Sequence, residues 1–285
     1  MNTSLYISSS ALNAFQQKLD TTANNVANVN TTGFKRKDHT FSEILASQIN
    51  NQGRTNQEIG RLTPNGLRVG YGVRTGLTQL DMEQGQAVQT GNPYDLMISG
   101  KGFFQVGYSS ATAGGPSEVR YTRDGNFHVS PDANKPGSYQ LVNANGGFLL
   151  DQTGKPIELD DQYKVNINST GQIQLKNKNG QGATFASPQQ VGIVDIQNPH
   201  VLQNVGENEF AFDPSALANG KNTATYVRMM PSGEAQISTG YLEGSNVDLT
   251  EEMAELVTAQ RGYQLNARAV SYADQMSGIA NSILK

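Results

Sequence analysis

Residues 248–285 read DLTEEMAELVTAQRGYQLNARAVSYADQMSGIANSILK, and the architecture follows from this stretch. The last proline of the chain is Pro231, so nothing breaks a helix that runs to Lys285. Asp248 followed by Glu251 gives a capping-box-like start, and Glu252 adds negative charge at the positive helix pole. Two apolar seams run along this helix on rotated faces. Leu249, Met253, Leu256, Gln260, Tyr263, Ala267 and Val270 form the first; Leu265, Ala269, Tyr272, Met276, Ile279 and Ile283 form the second. A helix that is apolar on more than one face needs more than one packing partner.

The other end of the chain offers one such partner. Leu5, Ser8, Leu12, Phe15, Leu19, Thr22, Val26 and Val29 recur at spacings of three and four, a heptad seam with polar positions at Ser8 and Thr22. Asn2 to Ser4 can cap its start, and Gly33 can take the left-handed geometry that stops a helix. A helix of about 25 residues is about 38 Å long. Two helices docked only on each other leave the second stripe of the C-terminal one facing water, and bury too little apolar area to stand alone. Pairing of the ends as a coiled-coil-like domain, followed by association with further copies, satisfies both stripes. Asn24, Asn25, Asn28 and Asn30 crowd the end of the first helix, where their amides either fray it into solvent or bond to neighbouring chains. Gln260, Arg261, Tyr263 and Asn266 form a similar polar cluster, able to set register at a seam.

Between the ends the pattern changes to short alternating stretches with Gly- and Asn-rich turns. Tyr163, Val165 and Ile167, the turn at Ser169 to Gly171, then Ile173 and Leu175 predict one β-hairpin. Tyr139 and Leu141, the turn Asn143 to Gly147, then Phe148 and Leu150 predict a second. Residues 35–75 fit neither pattern: a short helical piece is expected at Phe41, Ile44, Leu45 and Ile49, then an extended arm from Gly60 to Gly76. The expected class is α+β: N- and C-terminal helices (residues 1–34 and 243–285), a connector arm (35–75), and an antiparallel barrel- or sandwich-like body (76–242).

Composition narrows the function. Hydrophobic residues make up 36 %, against a usual ~45–50 % that also counts Gly, and charged residues 16 % against ~25 %, which suggests surfaces that meet other protein through amides and hydroxyls. A net charge of −4 excludes a basic nucleic-acid footprint, and the absence of Cys excludes disulfides and thiolate chemistry. The N-terminal MNTSLYISSS lacks the basic and apolar regions of a cleaved secretory leader. His39, His128 and His200 lie in unrelated segments without ligand spacing, and Gly70, Gly72 and Gly76 miss the dinucleotide pattern. No catalytic, metal or cofactor residues and no small-molecule substrate are therefore expected. A β-rich secreted hydrolase or binding protein would need a pocket holding groups such as His128 and Asp124.

Four stretches carry a resemblance to a known family. Residues 23–35, ANNVANVNTTGFK, and 243–266, from EGSNVD through QRGYQLN, resemble the N- and C-terminal signatures of bacterial flagellar rod and hook proteins. Residues 95–104, DLMISGKGFF, and 121–127, YTRDGNF, resemble that family's β-domain motifs. Leu62 to Gln89 is most similar to the connector of distal rod members, while hook and proximal rod subunits stay open as alternatives. Gly262 departs from the family, which usually carries Ala there. The resemblance implies a non-enzymatic subunit of the basal body, self-associating into a hollow helical tube that transmits torque and conducts exported subunits. It implies rod and hook subunits and the flagellar type III export apparatus as partners, and export without leader cleavage. With the apolar stripes, it places subunit contacts at Leu5, Leu12, Phe15, Leu19, Asn24, Asn25, Val26, Asn28, Asn30, Gly33 and Phe34. On the C-terminal side it places them at Asn246, Val247, Met253, Leu256, Gln260, Arg261, Tyr263, Asn266, Val270, Met276 and Ile279.

Overall fold

The structure, a computed structural model, describes residues 2–44, 46–49, 67–109, 116–132, 135, 137–160, 163–177, 185–212, 226–231 and 234–283. Helices stand at its two ends, α1 (Asn2–Ala27) and α2 (Leu249–Ile283), and strands fill most of the described chain between them. The chain forms two compact units. One comprises Met1–Ala27, Lys37–Gln79 and Asp248–Lys285; the other comprises Asn28–Arg36 and Leu80–Val247.

In the first unit α1 and α2 pack antiparallel. Asn25 meets Glu252, Lys18 meets Glu255, and the Phe15 ring meets Gly262, so positions rise along one helix as they fall along the other. At 1.5 Å per residue, the 26 residues of α1 span about 39 Å and the 35 of α2 about 53 Å. Asp248 caps α2, its Oδ1 accepting from the backbone N–H of Thr250 (2.8 Å) and Glu251 (3.4 Å). α1 stops at Ala27, short of the expected end at Gly33, and Val29 lies beyond it. Asn28 explains the stop: its carbonyl accepts from the Thr31 N–H and its Oδ1 from the Thr31 hydroxyl, both at 3.1 Å, closing a turn in place of the helix.

The helical piece expected at Phe41, Ile44, Leu45 and Ile49 is replaced by strands. Phe41 lies in the first and Ile49 in the second, Ile44 just follows the first, and Leu45 lies outside the described residues. Lys37–Glu43 pairs with Val73–Leu80, and Ala46–Ile49 with Leu67–Gly70. Three- and four-residue apolar spacing over so short a piece cannot nucleate a helix, whereas a partner strand satisfies its backbone at once. The arm is tied to α1: Val73 N–H donates to Ser10 Oγ (3.3 Å), and the Thr75 hydroxyl bonds Gln17 Oε1. Of the arm expected over Gly60 to Gly76, residues 60–66 lie outside the described residues.

In the second unit a ten-stranded antiparallel sheet forms among the described residues. Its main path runs Glu158–Asp160, Ser138–Val142, Phe148–Leu149, Phe103–Ser109, Pro116–Thr122, Glu209–Phe212, Leu202–Gly206. The predicted hairpins are present. Tyr163–Ile167 pairs with Gln172–Asn177 in register Val165↔Leu175, and Val142 faces Phe148 across the turn. Adjacent Phe103 and Phe104 point to opposite faces of their strand and enter different apolar clusters. Phe104 meets Phe127 edge-on at 5.5 Å with Leu96, Leu141 and Leu149 around them; Phe103 meets Phe210 at 6.0 Å beside Val194 and Ile196. Two short ladders complete the unit, Leu96–Ser99 with Gln236–Thr239, and Ala87–Gln89 with Tyr241–Glu243.

Candidate assembly surface

The face that α2 turns to α1 is small and polar rather than apolar. Buried there are Ala11, Ala14, Thr22 and Asn25 on α1, and Glu252 and Ala259 on α2. Asn25 spends its whole amide inside the unit. Its Nδ2 donates to the Lys37 carbonyl (2.9 Å) and Glu252 Oε2 (3.1 Å), and its Oδ1 accepts from the Lys37 N–H (3.1 Å). A Cβ on Gly262 would stand 2.6 Å from the Phe15 ring, so glycine is what lets that ring lie on the α2 backbone. The larger residues of the predicted seams, Leu12, Phe15, Leu19, Val26, Leu256 and Val270, flank this contact half-buried.

The second predicted stripe faces away from α1. Leu265, Tyr272, Met276, Ile279 and Ile283 are 60–79 % exposed, and nearer the helix start Leu249, Met253 and Val257 are also exposed. At 100° per residue Leu265, Tyr272, Met276, Ile279 and Ile283 lie about 100–160° around the helix from buried Ala259. Met253 and Val257 lie about 120–160° from it in the other direction, and Leu249 stands one turn before Glu252 at the helix start. On α1, Leu5 and Tyr6 are exposed. Eleven large apolar or aromatic side chains on these two helices thus meet water, counting Tyr263 at 38 %. Exposed apolar stripes of this length mark association surfaces. No described helix is long and apolar enough to cross a membrane.

The remaining predicted contact residues divide by position. Asn24, Asn30, Gln260 and Arg261 are exposed, and Asn266 donates to the Gly262 carbonyl within α2 (2.8 Å). Gly33, Phe34 and Val247 are buried in the second unit. Gly33 takes φ +67°, and a Cβ there would stand 2.5 Å from the Asp124 backbone nitrogen, so the turn admits no side chain. Asn246 Oδ1 accepts from the Arg36 N–H (2.8 Å), while its Nδ2 donates to the carbonyls of Asp81 (3.1 Å) and Glu83 (3.2 Å). His128 is exposed on its strand, and Asp124 accepts from the Thr32 hydroxyl (3.0 Å) and the Asn126 N–H (3.2 Å).

One feature was not read from the sequence. Lys35, Arg123 and Glu243 form a buried ion cluster in the second unit. Lys35 Nζ donates to Glu243 Oε1 (2.7 Å) and the Glu83 carbonyl (2.6 Å); Arg123 donates to Glu243 Oε2 (3.1 Å) and the Gly100 carbonyl (2.8 Å). Burial holds both cations below their usual pKa ranges, against the opposing pull of Glu243. The available signal was three charges, one in each of three quoted motifs, in a chain with few charges.

Known proteins match along the whole length. Family models match at residues 5–35 (flagella basal body rod protein), 97–175 (flagellar hook protein FlgE/F/G D1 domain) and 238–283 (flagellar basal body rod FlgEFG protein C-terminal). The flagellar hook-basal body complex protein FlhP of Bacillus subtilis is 34 % identical over 283 residues, covering 98 % of each chain. The flagellar basal-body rod protein FlgG of Agrobacterium fabrum is 32 % identical over 281 residues, 99 % of each chain. The protein of that same description from Bacillus subtilis is 31 % identical over 274 residues, 96 % of each.

Proposed function

This chain belongs to the family of flagellar basal body rod and hook proteins, and from that premise we propose that it is a structural subunit that polymerises into the hollow helical distal rod. The observation that carries the proposal is the exposed stripe on α2, Leu265 to Ile283, which the partner helix leaves uncovered. In a helical polymer the contacts are heterologous and do not close, so each copy presents one apolar face and receives another. The small, polar seam between α1 and α2 sets them side by side as a coiled-coil-like pair, and the outward stripes of neighbouring pairs complete the inner wall of the tube. The subunit contacts are drawn from the residues of the predicted set that the monomer leaves exposed or half-buried, with Leu5, Leu12, Leu19, Met253, Leu256, Tyr263, Met276 and Ile279 as the apolar ones that carry them. Asn25, Gly33, Phe34, Asn246 and Val247 act inside the subunit, shaping the surface without forming it. A chain with only 16 % charged residues lets copies approach with little ionic desolvation. The tube transmits torque, conducts later subunits, and joins other rod and hook subunits at its ends. Its subunits reach it by type III export.

Electron microscopy of the concentrated protein tests this. Tubes are expected from the native chain, and none from the Tyr272→Asp, Met276→Asp double variant, whose second unit should melt as in the native protein. Tubes formed by the double variant at the native concentration would remove the stripe from the interface.

A further inference from the structure

We propose that Glu243 is a latch joining two stretches of chain, Asn28–Arg36 beyond α1 and Tyr241–Val247 before α2, so that neither docks in the β-rich unit without the other. Its oxygens are divided between them and their bed. Oε1 accepts from Lys35 Nζ (2.7 Å) and the Gly85 N–H (3.0 Å), Oε2 accepts from Arg123 (3.1 Å), and its backbone carbonyl accepts from the Gly33 N–H (2.8 Å). Asn246 adds a second tie between the stretches through the Arg36 N–H. Without residues 241–247, Lys35 and Arg123 would be two buried cations whose shared carboxylate has gone. Without residues 28–36, the carboxylate would lose its shortest bond. Removing one member of a buried ion cluster costs more than the assembled cluster returns, so half-docked states are disfavoured and docking is concerted. Arg123 Nε already lacks a partner, which leaves no spare acceptor to absorb the loss.

The inference deepens the rod reading, on which it rests for its purpose alone: the two stretches lead along the chain into the helices that carry the association stripes. Coupling of this kind is reciprocal. Amide hydrogen exchange of the 285-residue chain, held dilute as the monomer, therefore decides it with two variants. Lys35→Met alters only the first stretch, and Glu243→Gln only the second. Each is expected to speed exchange about tenfold or more in both stretches while the Tyr163–Asn177 hairpin keeps its native rate. Acceleration confined to the altered stretch, acceleration spread equally to the hairpin, or no acceleration would each overturn the latch. If Glu243→Gln does not fold, Lys35→Met still reads the coupling, because it leaves the Arg123–Glu243 pair neutral. No assembly is measured, so the latch and the rod reading fail separately.

Discussion

Gly262 shows how the lack of one side chain lets the Phe15 ring lie against the α2 backbone. Alanine in its place would gain up to ~1 kcal/mol of helix propensity, but its Cβ would enter the Phe15 ring, which also packs tilted against Phe41 at 5.6 Å between centroids. Overpacking of this kind costs about 1–3 kcal/mol, so the clash outweighs the propensity. Gly262→Ala is expected to lower the stability of the helical unit by about 1 kcal/mol in thermal melts. Adding Phe15→Leu should restore the loss, because the ring that clashes is gone. An alanine variant more stable than the native chain would contradict this reading of the departure from the family's usual residue. The Lys35–Arg123–Glu243 cluster lives at the same scale. It was invisible in the sequence because Lys35 and Glu243 stand 208 positions apart, and no local rule pairs residues at that range.

At the scale of elements, periodicity and turn chemistry were enough to read both helices and both hairpins. They did not identify which stripe of each helix faces the other. The buried positions are small or polar; Thr22 lay in the predicted seam, but Ala11, Ala14, Asn25, Glu252 and Ala259 are passed over by a search for apolar residues at heptad spacing. The strands after residue 36 were misread for the opposite reason: their apolar residues fall at helical intervals, while the partner strands that decide the matter lie well further along the chain. The start of α2 was legible and gives a test. The Asp248 carboxyl sits below the usual range because the Thr250 and Glu251 N–H groups bond its ionised form. A lowered folded-state pKa stabilises above the unfolded value and loses that stabilisation as pH falls through the folded one. Asp248→Ala is expected to speed amide exchange at Thr250 and Glu251 near neutral pH, with Asp248→Ser recovering most of the protection. The difference between native and Ala chains should vanish in strong acid. Equal exchange in the two chains at neutral pH would show that the cap does not hold the first turn.

At the scale of the molecule, the two helices leave eleven large apolar or aromatic side chains among the described residues exposed to water. One face of each meets the other through small and polar residues with half-buried Leu12, Phe15, Leu19 and Leu256 at its flanks, and the second stripe of α2 points to water. The chain contains no cysteine, so a single Met276→Cys substitution places one thiol on the stripe and nowhere else. The rate at which that thiol reacts with a soluble maleimide, compared between dilute monomer and sedimented polymer, measures directly whether the stripe is the interface. At least a tenfold slowing is expected in the polymer, while a thiol placed instead at exposed Val205 on the β-rich unit keeps more of its reactivity. A thiol at position 276 that reacts equally fast in both states would mean that copies meet through some other surface.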